Sequence, residues 1–452
     1  MSADRYLTSP LRALRATFPL DLRGLATLGG IILIGKLAWL VWRGPAYEMD
    51  TATYLGQSLT FHHPPIYGWL LRWLEGIWPQ AYFVAAVQAV VMAAGLALAC
   101  AHFGRSPRET RILAILFAID PITSFFSANL MSEALFIPGT LLWLCLVHQY
   151  LREERTDNRR TLVLLIGVWL AAIYSVRLAA IIFPGFFALA SLWAPGPKRI
   201  LRAVLHTIVI FLVLQVMILP MKYAYWKEYN VFGMGNFAGV NLWNSVSVLY
   251  PDSSIRDNPR TEFEKFLATR DIAEFSTFNA IESNTIHHPD SAFDNYARAH
   301  VRSIQDNLDL SASLEKTSVR LLLENPWGYI ERFVIPNVFK TVMIPEVIAI
   351  SPRVETLMEA RMNYNQPDHV RYAPWVWIIW SILAIATTGI QLCIRSRCDR
   401  GAQLLLGFFW FYSLVLPVLA AMCLRYALLC APAILIAAAL SVLNSDSRAA
   451  HA

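Results

Sequence analysis

From residue 25 to residue 445 the chain alternates long apolar runs with short clusters of arginine and lysine. A helix rises about 1.5 Å per residue and a bilayer's hydrocarbon core is about 30 Å thick, so a run of roughly 20 apolar residues reads as a spanning helix. The pattern predicts spans at about 25–43 and 80–103, a pair within 112–151 and a pair within 161–194. Single spans at 203–221 and 372–394 follow, and then a final pair at 401–423 and 427–445. Two polar stretches interrupt this alternation, a loop at 44–79 and a longer region at 222–371. The expected fold is an all-α membrane protein of about ten transmembrane helices. Interfacial helices lie in the first outer loop, and a large, mostly helical region lies outside the membrane.

Composition agrees with that reading. The chain is 56% hydrophobic and only 15% charged, which is not the balance of a soluble globular domain. Its formal net charge of +6 raises the question of nucleic acid, but the basic residues are not patterned for it. They sit between apolar runs: Arg105, Arg108 and Arg111; Arg152, Arg155, Arg159 and Arg160; Lys198, Arg199 and Arg202; Arg395, Arg397 and Arg400. Such clusters mark cytoplasmic loops under the positive-inside rule. The charge therefore reports topology, with both termini expected in the cytoplasm. The six cysteines all lie in or beside apolar runs, which argues against a disulfide framework or a zinc site. The run from Leu25 to Trp42 is too long for a signal-peptide core and is read as a retained span.

With the basic clusters inside, Glu48, Asp50, Asp120, Glu133, Arg177 and Arg425 fall in different loops on one outer face. Ionisable side chains at a membrane boundary are costly and mark candidate sites. Glu48-Met-Asp50 is followed by Tyr54, then by His62-His63-Pro64-Pro65-Ile66-Tyr67. The prolines are suited to starting a helix, and the aromatic residues from Ile66 to Trp78 are suited to one lying in the interface. Asp120-Pro121 and Ser132-Glu133-Ala134-Leu135-Phe136 bracket the second outer turn. The remaining outer features are Tyr174-Ser-Val-Arg177-Leu and Arg425-Tyr426.

An acid pair followed by a His-Pro-Pro-apolar segment resembles the GT-C superfamily of integral-membrane glycosyltransferases. The closest resemblance is to the protein O-mannosyltransferases and the lipid A aminoarabinose transferases. It is clearest over residues 44–194. The Ser-Glu-apolar-Phe element at Glu133, and the positions of Arg177 and Arg425, also match family habits. The resemblance implies inverting transfer of a sugar from a polyprenyl phosphate donor to an extracytoplasmic acceptor, which is a glycan, a lipid or a secreted protein such as a pilin. Asp50 takes the role of catalytic base with Glu48 beside it. Arg177, Arg425 and His63 are the candidates for the donor phosphate, followed by Lys222 and Lys340. Tyr54, His62, Tyr67, Asp120, Glu133 and Tyr426 support the site. Arginine suits a phosphate because it stays charged and donates paired hydrogen bonds; the alternatives for Arg177 and Arg425 are an ion pair with Asp120 or Glu133, or snorkelling to lipid headgroups. Adjacent His62 and His63 argue against a metal centre at that point, and a divalent cation elsewhere is left open.

The implied organisation is a transmembrane catalytic module at 1–221, an acceptor-selecting outer region at 222–371 and C-terminal transmembrane helices at 372–452. The implied location is a bacterial inner membrane, crossed many times, with the active site facing the periplasm or the outside. The partners are the bilayer, the lipid-linked donor and the acceptor, with no nucleic acid. Glu-x-Asp in place of adjacent acids, and His63 in place of a lysine, depart from the aminoarabinose transferases. The competing reading is a transporter or flippase for a lipid-linked sugar. That class commonly shows repeated halves and broken helices at the midplane, and no repeat is evident here.

Overall fold

The computed structural model describes residues 17, 22–47, 49–56, 63–194, 198–234, 238–270, 296–297, 299–301, 303–338, 374–393, 399–419 and 429–443. Among these residues every extended element is helical, and the β structure is a single isolated bridge between Ala46 and Asn129. The chain divides into two compact units. The first holds Met1–Pro220, Glu346–Tyr412 and Arg425–Ala452; the second holds Met221–Pro345 and Ser413–Leu424.

Four described helices are long and apolar enough to cross a membrane: α1 (Leu22–Arg43), α4 (Ala81–Phe103), α7 (Glu133–Arg152) and α10 (Arg199–Tyr229). Between α1 and α4 lie α2 (Met49–Gly56) and α3 (Pro65–Ile77). A fifth span arises if α5 (Pro107–Ile119) and α6 (Pro121–Ala128), which meet at 56°, are taken as one. Next to these stand α8 (Thr156–Tyr174) and a 3₁₀ turn, Leu178–Ile182, that leads into α9 (Phe183–Ser191). About ten spans are expected from the pattern, against four or five by length and apolarity among the described residues. Within 156–194 the apolar run is interrupted. Polar Asp157, Arg159 and Arg160 occupy the start of α8, and Pro184 follows the 3₁₀ turn. Of the remaining apolar segments, Leu178–Ser191 and Ala431–Leu443 are short, whereas Pro374–Cys393 and Arg400–Leu419 are helices of 20 residues each.

In the first unit α7 is the central helix, with 78% of its apolar window buried against 22% for α1. It packs on α4, where Gly95 lets Pro138 approach: a Cβ there would lie 2.3 Å from the proline Cβ. Trp143 of α7, Phe183 and Phe186 of α9, and Phe408 fill the space between these elements, with ring centroids 5.0–6.4 Å apart. Helix α1 buries only a stripe, Leu28, Ile32, Lys36 and Leu40, spaced four apart. It leaves Ile34, Val41 and Trp42 exposed, as suits a helix bordered by lipid.

The break between α5 and α6 has a local cause. In a continuous helix the Phe117 carbonyl would accept from residue 121, and Pro121 has no N–H. Asp120 ends one helix and caps the next. Its Oδ1 accepts from Ile122 N at 3.2 Å and its Oδ2 from Thr123 N at 2.9 Å. Lys36 of α1, fully buried, supplies the missing donor. Its Nζ donates to Phe117 O at 2.5 Å, Thr123 Oγ1 at 2.7 Å, Ser124 Oγ at 2.9 Å and Asp120 O at 3.4 Å. Gly35 makes the approach feasible, since a Cβ on it would lie 2.0 Å from the Ala118 carbonyl oxygen.

Lys36→Met should therefore orphan a buried carbonyl and lower stability by roughly 1–3 kcal/mol for Phe117 O alone. Pro121→Ala in that background restores a backbone donor and should recover part of the loss. Thermal melting of the purified single and double variants tests this; a double variant no more stable than Lys36→Met refutes the account.

The second unit has its own core, built on α11 (Ala238–Val246), α12 (Glu262–Leu267) and α13 (Ile304–Glu324). Val240, Trp243 and Val246 pack with Phe263, Leu310, Leu314 and Leu321. Gly239 allows α11 to reach α13, because a Cβ there would meet the Ser311 carbonyl oxygen at 1.9 Å.

Candidate functional site

The loop after α1 begins with Gly44 at φ 78°, a left-handed conformation that suits glycine. It turns the chain so that Ala46 pairs with the segment between α6 and α7. Ala46 N donates to Ala128 O at 3.1 Å, and Leu130 N donates to Ala46 O at 2.9 Å. This seam joins the first and second predicted outer loops. Directly beyond it α2 opens, with Asp50 at its second position. Thr51 Oγ1 donates to Leu130 O at 2.9 Å and ties that first turn to the seam.

Pro64 and Pro65 start α3 as their chemistry dictates, with Pro65 at the first helical position. One face of α3 is buried through Tyr67, Leu71 and Leu74, while Trp69, Trp73 and Ile77 point outward. Tyr54 stands between the two helices. Its ring meets His63 at 4.5 Å and Tyr67 edge-on at 4.8 Å. Arg72 NH1 donates to the Tyr54 carbonyl at 3.2 Å.

The Tyr54 hydroxyl donates to Ser132 Oγ at 3.0 Å, and Ser132 Oγ donates to Glu133 Oε2 at 3.3 Å. Arg177 arrives from the turn after α8, and its NH1 lies 2.7 Å from Glu133 Oε1 and 3.3 Å from Ser132 Oγ. The pair is buried, with side-chain exposures of 10% for Arg177 and 0% for Glu133. The third loop is held by backbone as well, since Ile66 N donates to Ser175 O at 3.4 Å.

Beneath this network Tyr67 donates to Gln88 Oε1 at 2.6 Å, and Gln88 Nε2 donates to Asn129 O at 2.8 Å and Ser127 O at 3.2 Å. Burial, then the neighbouring Tyr54 and Glu133, pushes the Tyr67 hydroxyl well above its ordinary value. It therefore stays a neutral donor at physiological pH.

Of the expected site residues, Tyr54, His63, Tyr67, Glu133 and Arg177 thus gather in one network beside the helix that carries Asp50. Arg177 meets its ion-pair partner Glu133. Asp120 serves a separate network, the cap and lysine contact at the α5–α6 break. Lys222 belongs to the second unit, where its Nζ lies 5.7 Å from the Phe232 ring centroid. Glu48, His62, Lys340, Arg425 and Tyr426 lie outside the described residues. Among the described residues no three His, Cys, Asp or Glu side chains gather as they would around a metal ion.

Gln88 and Thr51 join the site without having been singled out for it, and Ser132 joins it from the Ser-Glu-apolar-Phe element. Gln88 had a legible signal: it is a lone amide in an otherwise apolar run from Ala81 to Cys100. Thr51 had none, because a hydroxyl in the first turn of a helix is commonplace. No family model matches the chain, and comparison with curated proteins and with solved structures finds no similar one.

Proposed function

We propose that the protein is an inverting glycosyltransferase of the GT-C kind, acting on a polyprenyl phosphate sugar at the outer face of a bacterial inner membrane. The observation that carries this reading is the junction of three separate loops through Tyr54, Ser132, Glu133 and Arg177, directly beside the helix that carries Asp50. A reaction at a membrane face needs groups from several loops held in one place, and the seam at Ala46 and Asn129 supplies the rigidity.

In the proposed step an acceptor hydroxyl oxygen attacks the sugar's anomeric carbon while Asp50 takes the hydroxyl proton. The carbon–oxygen bond to phosphate breaks, and the polyprenyl phosphate leaves with the bonding pair. The new glycosidic bond has inverted configuration. A carboxylate is ionised at neutral pH and suits the base role. His63, Arg177 and Arg425 hold the departing phosphate, with Lys222 and Lys340 next in line. The region 222–371 selects the acceptor. Incubating reconstituted protein with radiolabelled polyprenyl phosphate sugars tests the reading. Release or transfer of the sugar is expected, whereas movement of the intact lipid across the bilayer without bond cleavage would assign the protein to the flippases.

The topology that goes with this reading is about ten crossings with the basic clusters inside. Single cysteines placed in 44–79 or 222–371 of a cysteine-free chain should label with an impermeant reagent from the outer side. Labels beside Arg108, Arg155 or Arg199 should appear only after the membrane is opened. The reverse pattern would overturn the shared-face argument.

A further inference from the structure

In the second unit, α13 turns one face toward a cleft of about 490 Å³. Lys316, Val319, Arg320, Leu323 and Glu324 recur on that face at helical spacing, and Arg260 and Thr261 stand across from them. The floor is fully engaged. Glu264 accepts from Arg260 N, from Thr261 N at 3.2 Å and from Thr317 Oγ1 at 3.1 Å. Arg320 donates to Glu324 Oε1 at 3.0 Å, to Ser254 Oγ at 2.7 Å and to Asn258 O at 3.3 Å, and lies 3.7 Å from Glu264 Oε2.

The rim differs. The exposed Arg260 and Lys316 side chains make no ion pair among the described residues. The same cleft is lined by the exposed apolar side chains of Val319 and Leu323, the latter 76% exposed. Two unspent cations beside an unspent apolar wall, above a rigid floor, fit one kind of ligand: an anion joined to a hydrophobic body. The anion takes charge-assisted hydrogen bonds from Arg260 and Lys316, and the body covers the two aliphatic side chains.

We propose that this cleft binds a phosphate ester of net negative charge bearing an apolar substituent, with Arg260 and Lys316 holding the phosphate and Val319 and Leu323 the substituent. Bilayer lipid is one source, because the chain enters this unit directly from the apolar helix α10. A water-soluble phosphate ester is the other. The proposal is independent of sugar transfer.

The test uses the full chain in nanodiscs and follows hydrogen exchange of segments 258–267 and 313–324. Discs of phosphatidylcholine alone are compared with discs containing phosphatidylglycerol, and hexyl phosphate is added to the former. Protection by phosphatidylglycerol alone supports the proposal and assigns the source to lipid; protection by hexyl phosphate also supports it and assigns a soluble ester. Arg260→Gln with Lys316→Gln removes two rim charges and should weaken binding about 25-fold, at roughly fivefold per cation. Leu323→Ser should weaken both the phosphatidylglycerol and the hexyl phosphate effects. Identical exchange under all three conditions, or protection that survives in the double variant, overturns the proposal.

Discussion

Asp50→Asn is expected to lower the turnover number about 10²–10⁴-fold, the usual contribution of a general base, without unfolding the protein. The residue occupies the second position of α2. A negative charge in a first turn contributes about 0.3–1 kcal/mol through the helix dipole, and melting of the variant separates any loss of stability from the loss of turnover. The amide keeps the shape of the carboxylate and cannot take the acceptor's proton. Asp50→Glu restores the charge and moves it by about 1 Å, a displacement that alone costs on the order of 10²-fold. The measurements are transfer of radiolabelled sugar and thermal melting on the same preparations. Wild-type turnover in an Asp50→Asn protein with wild-type melting removes Asp50 from the base role.

Arg177→Ala should produce the largest stability loss of any single change in the candidate site. It leaves the Glu133 carboxylate, fully buried, without the cation 2.7 Å away. Breaking one partner of a buried pair costs about 3–5 kcal/mol. Adding Glu133→Leu removes the orphaned charge and should return much of the stability, which a purely catalytic role for Arg177 would not produce. The same variants test the phosphate role. A charge-assisted hydrogen bond to phosphate is worth roughly 1.5–3 kcal/mol, so its loss should raise the KM for donor about 10–150-fold. If donor KM is unchanged in the folded fraction, Arg177 is confined to the ion pair and the phosphate falls to Arg425 or His63. If melting is unchanged in Arg177→Ala, the ion pair is not a stabilising contact.

Much of the helical order was legible because it is local. Apolar runs of spanning length located α1, α4 and α7, and Pro64-Pro65 marked the start of α3. The outward Trp69 and Trp73 against the inward Tyr67 and Leu71 follow from the period of that short helix. Span number was less legible. Turns were expected near Asp120 and near Arg177, where the structure has the 56° bend and the 3₁₀ turn Leu178–Ile182, but hydropathy gave neither the angle nor the hydrogen bonding of these breaks. Breaks of this kind depend on which carbonyls lose their donors, and hydropathy carries no information about that.

The sequence by itself determined the apolar helical character of the chain and the presence of costly charges at Lys36, Asp120, Glu133 and Arg177. It left open what each charge meets, and for Arg177 it allowed either a phosphate or an ion pair. Only the tertiary structure decided that Lys36 answers the carbonyl left by Pro121, 81 residues from Lys36 at Phe117. It likewise decided that Arg177 meets Glu133, and that Gln88 holds Tyr67 and the Asn129 carbonyl together. The physical reason is range. Periodicity and turn chemistry act within a few residues along the chain and can be read there. A buried charge is satisfied by whichever group the packing of distant helices brings within about 3 Å, and that distance exists only once the chain has folded.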